Sequence, residues 1–323
     1  MKSRFYGALL GLVLGDTLGT PIELEDLNVR TPMTCLEDAK KNDAFVGLWS
    51  NDTSLALCLL DSLLEKGFDQ EDQLQRFIKY MDDGEYTPLN YCIDIDHSTY
   101  LAIQHFRGED AAPKSLLDLT NGSLARTVVA ALYQPNLDAL ENTLELTRDI
   151  SQVTHRSTFV SDCCQLLAKM LVSLLNGVSK EDILSVDILE GLELKETIVN
   201  RFLTLEDTDL ADMNGNYNVL NSLMMALKCF QLTDNFEDGL LLAVNKSICS
   251  NTIGAIYGQL AGCYYGIENL PWLDQLLAVD KIMNVLDRAW KQRGISEHSH
   301  ADTESVRYGK VIKARKSKLQ NLS

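Results

Sequence analysis

The chain has 323 residues, 46% of them apolar, and a formal net charge of -17. That apolar share is enough to build the core of one large domain or two tightly packed ones, and it excludes a mainly disordered chain. The acidic balance argues against nucleic acid or an anionic membrane as the primary partner, since both repel a negative surface; it suits a small-molecule ligand or a basic protein partner.

Six prolines, 7% aromatics and abundant leucine favour helix over sheet. In chain order, Phe5 to Leu14 reads as a buried helix that stops at Gly15-Asp16. It is too short and too glycine-rich for a membrane span and has no convincing cleavage site. A loop carrying Pro21, Glu23, Glu25 and Asp26 follows, and residues 28–48 are irregular by pattern. Leucines at helical spacing predict a helix over Thr53 to Lys66, ended by Gly67. Further helices are predicted over Gln70 to Met81, Ser98 to Phe106, Leu137 to Ile150, Phe159 to Leu175, Tyr217 to Phe230 and Phe236 to Val244. Thr252 to Tyr265 carries Gly254, Ala255, Gly258, Ala261 and Gly262, small residues that let a neighbouring helix come close, which places this helix at the centre. No useful strand alternation occurs. The expectation is an all-α, compact multi-helix domain over residues 1–290, with a ligand cleft where loops meet helix starts. Residues 291–323 form a basic tail with Arg307, Lys310, Lys313, Arg315, Lys316 and Lys318.

Eight scattered cysteines without a CxxC, and no export signal, point to free thiols in a reducing, cytoplasmic compartment.

Four motifs carry the chemistry. The first is Gly15-Asp16-Thr17-Leu18-Gly19-Thr20-Pro21-Ile22-Glu23. The second is Trp49-Ser50-Asn51-Asp52-Thr53. The third is Asn121-Gly122-Ser123-Leu124-Ala125-Arg126, followed by Thr154-His155. The fourth is Cys249-Ser250-Asn251-Thr252-Ile253-Gly254, leading to Gly262-Cys263-Tyr264-Tyr265-Gly266. The second and fourth motifs also read as capping sequences at helix starts. Caps alone do not account for the first and third.

In these motifs, and in Ile93-Asp94-Ile95-Asp96-His97-Ser98-Thr99, the chain resembles the ADP-ribosylglycohydrolase family over roughly residues 5–287. The resemblance implies an all-α fold whose central cleft holds ADP-ribose over two magnesium ions, and an activity that cleaves ADP-ribose from a side chain or small acyl group. Carried over by motif, the metal ligands fall on Ser50, Asn51 and Asp52, and on Cys249, Asn251 and Thr252; the family glutamate falls on Glu23. Asn121, Gly122, Ser123, His155 and Asp94 fall on ligand-binding positions, and Glu23 and Asp52 on catalytic ones.

Three expected aspartates are absent, replaced by Asn51, Cys249 and Asn251. Five carboxylates facing two dications would set -5 against +4; with Glu23 and Asp52 alone the balance is -2 against +4. Asparagine keeps an oxygen and loses the charge, and a thiol is a soft ligand poorly matched to magnesium. The expectation is therefore recognition of ADP-ribose or an ADP-ribosylated protein, with weak or lost hydrolysis and at most one weakly held magnesium ion. The alternatives are an active hydrolase with altered metal use and a non-catalytic protein-binding member of the family. An Asp94–His97 acid/base pair is a further reading.

Overall fold

The computed structural model describes residues 1–109 and 119–293. Among them are fourteen α-helices and no strands. They are α1 Lys2–Gly19, α2 Asn51–Lys66, α3 Gln70–Asp83, α4 His97–Phe106, α5 Gly122–Ala125, α6 Val128–Tyr133 and α7 Leu140–Gln152; then α8 Thr158–Leu175, α9 Lys180–Leu184, α10 Glu196–Leu203, α11 Val219–Leu232, α12 Phe236–Asn245, α13 Ser250–Tyr265 and α14 Val279–Gln292. The all-α expectation holds. Helices α5, α6, α9, α10 and α14 lie where the pattern predicted none, and most of the basic tail lies outside the described residues.

The centre is an antiparallel pair, α1 against α13. Gly7, Gly11, Gly15 and Gly19 form a stripe at four-residue spacing on α1. Across from them stand Gly262, Gly258, Gly254 and the Ser250–Asn251 backbone. A Cβ added to Gly11 would lie 2.1 Å from the Gly258 carbonyl oxygen, so the two backbones touch and no side chain fits between them. This corrects the expected end of the first helix. Gly15-Asp16 reads as a stop in isolation, but α1 runs on to Gly19 because Gly15 and Gly19 are the last two contacts of the stripe.

The longer α1 also revises the length argument on membranes. Lys2–Ile22 and Thr158–Leu175 are both long and apolar enough to cross a bilayer by length and composition, and 89% and 83% of their apolar windows are buried inside the protein. Their lipophilic surface is spent on the core: Phe5, Leu9, Leu12 and Val13 of α1 and Cys163, Leu167 and Leu171 of α8 are all fully buried.

Three ties carry this centre out to the motif loops. Gln259 of α13 donates to the Ala125 carbonyl (2.5 Å) and accepts from the Val128 N–H (2.9 Å), fixing α5 and α6. Arg30, almost wholly buried, donates to the carbonyls of Val244 and Ser247, both at 2.8 Å, at the end of α12. The Leu24 N–H donates to the Ile248 carbonyl at 2.9 Å, so the Glu23 loop is stitched to the approach of α13.

Candidate functional site

The zipper between α1 and α13 is antiparallel, so it brings the end of α1 to the start of α13, and the start of α2 meets them there. The sequence pattern reads Ser50 to Thr53 as the capping sequence of α2. Ser50 is the N-cap residue, but its side chain makes no cap bond. Asp16, reaching from α1, takes that part: its carboxylate accepts from the Ser50 N–H (3.0 Å), the Ser50 hydroxyl (2.6 Å) and the Thr53 N–H (3.0 Å). A negative charge at a helix N-terminus is favoured by the helix dipole. Burial raises the Asp16 pKa and the bonds from Ser50 and Thr53 pull it back. At α13 the capping expectation is likewise corrected. Cys249 stands at the N-cap without a side-chain cap bond, Ser250 donates to the Gly19 carbonyl (2.9 Å), and Asn251 Oδ1 accepts from the Thr252 N–H (2.7 Å).

The candidate metal positions do come together. Asn251 Nδ2 donates to Ser50 Oγ at 3.2 Å, joining the second motif to the fourth. Asn51 Oδ1 lies 3.1 Å from the same hydroxyl. The Thr252 hydroxyl lies 3.4 Å from Asn251 Oδ1. Ser50, Asn51, Asp52, Asn251 and Thr252 are each at most 6% exposed. Asp52 Oδ2 is buried without a hydrogen-bond partner. Burial, then the nearby charges of Asp16, Glu23 and Asp96, push the Asp52 pKa well up.

Glu23 and Tyr217 stand on the accessible side. Burial, then Asp94 and Asp16, raise the Glu23 pKa to about 8, against the hydrogen bond it shares with the Tyr217 hydroxyl. Asp94 lies exposed beside them, and His97 is exposed at the start of α4. The acidic neighbour of a histidine here is Asp96: its Oδ1 is 3.5 Å from His155 Nε2.

The third motif packs below. Asn121 Nδ2 donates to Ser222 Oγ (2.8 Å) and to Cys249 Sγ (3.4 Å). Gly122 leaves room for Asp96, since a Cβ there would fall 2.6 Å from that carboxylate. Ser123 is turned into the core, where its hydroxyl meets Ser151 at 2.9 Å. Arg126 is buried among Gly122 O (2.9 Å), Thr154 Oγ1 (2.5 Å) and Asp96 Oδ2 (3.9 Å), and Thr154 in turn holds His155 Nδ1 at 2.8 Å.

Asp16, Asp96, Arg126 and Tyr217 are the site residues that sequence reasoning did not select. Asp96 left a signal, since it stands within the Ile93 to Thr99 motif. Asp16 stands in the first motif, but its capping of α2 left no signal, because its partners are 34 and 37 residues away.

At the candidate metal positions the donors are mostly neutral or already engaged. Both Asp16 oxygens are engaged by α2. The amides of Asn51 and Asn251 are neutral and hydrogen-bonded. Burial pushes the Cys249 thiol well up, so it stays uncharged. Among the described residues no three of His, Cys, Asp and Glu cluster as metal ligands do.

The ADP-ribosylglycohydrolase family model matches residues 1–298. The chain belongs to that family. It is 30% identical over 279 residues to an ADP-ribosylarginine hydrolase, Tri1, of Pseudomonas putida, covering 84% of this chain and 74% of the relative. It is 25% identical over 288 residues to an ADP-ribosyl-[dinitrogen reductase] glycohydrolase of Rhodospirillum rubrum, covering 85% and 91%. A solved structure titled an ADP-ribosylglycohydrolase-related protein complex superposes with a TM-score of 0.76 at 27% identity, covering 90% of this chain and 98% of the other.

Proposed function

We propose that this protein recognises ADP-ribose, free or attached to a protein, and that its hydrolysis is weak or lost. The observation that carries the reading is the neutral lattice Ser50–Asn51–Asn251, with Cys249 beside it, standing at two helix N-termini where the family pattern has three aspartates. The motif loops that frame a sugar and a diphosphate are kept, and helix N-termini favour anions. The charge that would hold two dications is not kept. Ser50, Asp52 and Thr252 leave at most one weak magnesium position, built on the free Asp52 oxygen.

The relatives named as hydrolases favour a second reading, an active ADP-ribosyl hydrolase with altered metal use, in which Glu23 and Asp52 do the work.

Calorimetry of ADP-ribose with and without Mg²⁺ separates the two. Binding that is indifferent to Mg²⁺ is expected, and tight Mg²⁺-dependent binding overturns the leading reading. The triple variant Asn51→Asp, Cys249→Asp, Asn251→Asp is expected to gain Mg²⁺-dependent release of ADP-ribose from a modified arginine or serine substrate. Equal turnover by the unaltered chain would support the second reading.

A further inference from the structure

The loop that follows Glu23 is pinned at both ends. The Leu24 N–H donates to the Ile248 carbonyl at 2.9 Å. Arg30, almost wholly buried, donates to the Ser247 and Val244 carbonyls. Just beyond, the Asn245 amide pairs with the Met33 N–H and carbonyl, both at 2.8 Å. The turn between these anchors is closed on itself. The Val29 and Arg30 N–H groups donate to the Asp26 carbonyl, and the Asp26 carboxylate accepts from Asn28.

A turn so fixed to the body could bury its apolar side chains, yet this one displays them. Leu24 is 66% exposed, Leu27 45% and Val29 79%. Apolar side chains scattered singly over a surface need no explanation, but three on one anchored turn form a patch. Leu24 also holds a φ of +64°, a left-handed conformation that a branched side chain keeps only where its surroundings impose it. A backbone fixed before a partner arrives has little freedom left to lose on contact, which favours binding.

The patch starts at the candidate site. Leu24 follows Glu23 directly, and Tyr217, hydrogen-bonded to Glu23, is itself 38% exposed. The charges select the partner. Over residues 20–30 the charged side chains are Glu23, Glu25, Asp26 and Arg30; Arg30 is turned inward, and Asp94 adds its charge beside Glu23. An apolar, acidic rim attracts a segment that brings apolar and basic side chains and repels an acidic one. ADP-ribose is polar and anionic and gains nothing from such a rim. What can use it is the polypeptide to which the ADP-ribose is attached.

We propose that the turn Leu24–Val29 is a docking surface for the polypeptide that carries the ADP-ribose, and that it favours apolar and basic residues beside the modified side chain. The proposal rests on the reading of the neighbouring site as one for ADP-ribose.

The test is calorimetry of the full chain with three probes. They are free ADP-ribose, a peptide ADP-ribosylated on arginine with leucine and lysine flanking it, and the same peptide with serine and glutamate in their place. The leucine–lysine peptide is expected to bind about tenfold tighter than either of the others. In the double variant Leu24→Asn, Val29→Ser that advantage should disappear while the affinity for free ADP-ribose stays the same. Asparagine tolerates the left-handed conformation at position 24, so the turn keeps its shape. Equal binding of the two peptides, or an advantage that survives the double variant, overturns the proposal. Failure of the site reading looks different, because free ADP-ribose then does not bind. In that case a leucine–lysine peptide that still binds, and loses its affinity in the double variant, upholds the docking turn; silence of both peptides overturns it.

Discussion

Gly258→Ala tests whether backbone contact sets the spacing of the central helices. The added methyl would lie 2.0 Å from the Gly11 carbonyl oxygen and 2.4 Å from its carbon. Ordinary contact at such a pair is about 3.3 Å, so the helices must part by more than about 1 Å or twist. In an isolated helix the same change would stabilise by about 1 kcal/mol. Overpacking a tight core costs about 1–3 kcal/mol and more where backbone rather than side chain must yield, so a net loss of about 3 kcal/mol is expected. With an unfolding entropy of about 2.1 cal/mol/K per residue, a fold of about 290 residues changes by about 0.6 kcal/mol per degree, and the loss reads as a fall in Tm of about 5 °C. Scanning calorimetry measures it. Gly108→Ala is the control: its φ is +73° and nothing lies within 4 Å, so only the backbone cost of about 1 kcal/mol applies. A Gly258→Ala Tm equal to or above that of the unaltered protein would refute the reasoning.

Asp16→Ala removes the carboxylate that caps α2 and strands the Ser50 and Thr53 N–H groups in a dry interior; a loss of about 2–4 kcal/mol in urea unfolding is expected, against less than about 1 for Ser250→Ala. Asp52→Asn should leave stability unchanged or raise it, since Oδ2 has no partner to lose, while ADP-ribose affinity falls at least tenfold by calorimetry; a large loss of stability would contradict the assignment of a free oxygen there. Glu23 supplies a pH dependence. Its pKa is raised from 4.5 to about 8, so the protonated form is preferred in the fold; that preference is fully present below about pH 4.5 and is lost as the pH rises through 8. The urea midpoint should therefore fall between pH 5 and pH 8, and Glu23→Gln should flatten that part of the profile; an equal slope in the variant would rule the assignment out.

Helices with a clear apolar period were legible in the chain. Gln70 to Met81, Leu137 to Ile150 and Phe159 to Leu175 match α3, α7 and α8 within three residues. The first helix was misread because Gly-Asp carries the local signature of a stop, and only the distant glycines of α13 convert Gly15 and Gly19 into packing contacts. The missed α14 was legible too: Ile282, Val285, Leu286 and Ala289 stand at helical spacing and form its buried face, and Arg288 on the same helix reaches Asp61 on α2. In the candidate site, the three replaced aspartates could be read from motif alignment. The bonds that tie their substitutes together could not, since Asn251 and Ser50 meet only across 201 residues. Asp96 against Gly122, and the trans-capping by Asp16, have the same origin.

The glycine stripe has a consequence for how such a site changes over generations. The gap between the end of α1 and the start of α13 is gauged by main chain resting on main chain, which no side-chain replacement at residues 249–252 can widen or narrow. Ligand-bearing positions mounted on that gauge are interchangeable parts: aspartate can give way to asparagine or cysteine while the loops keep their places. A lineage can thus exchange side chains at a few of these positions without rebuilding the frame.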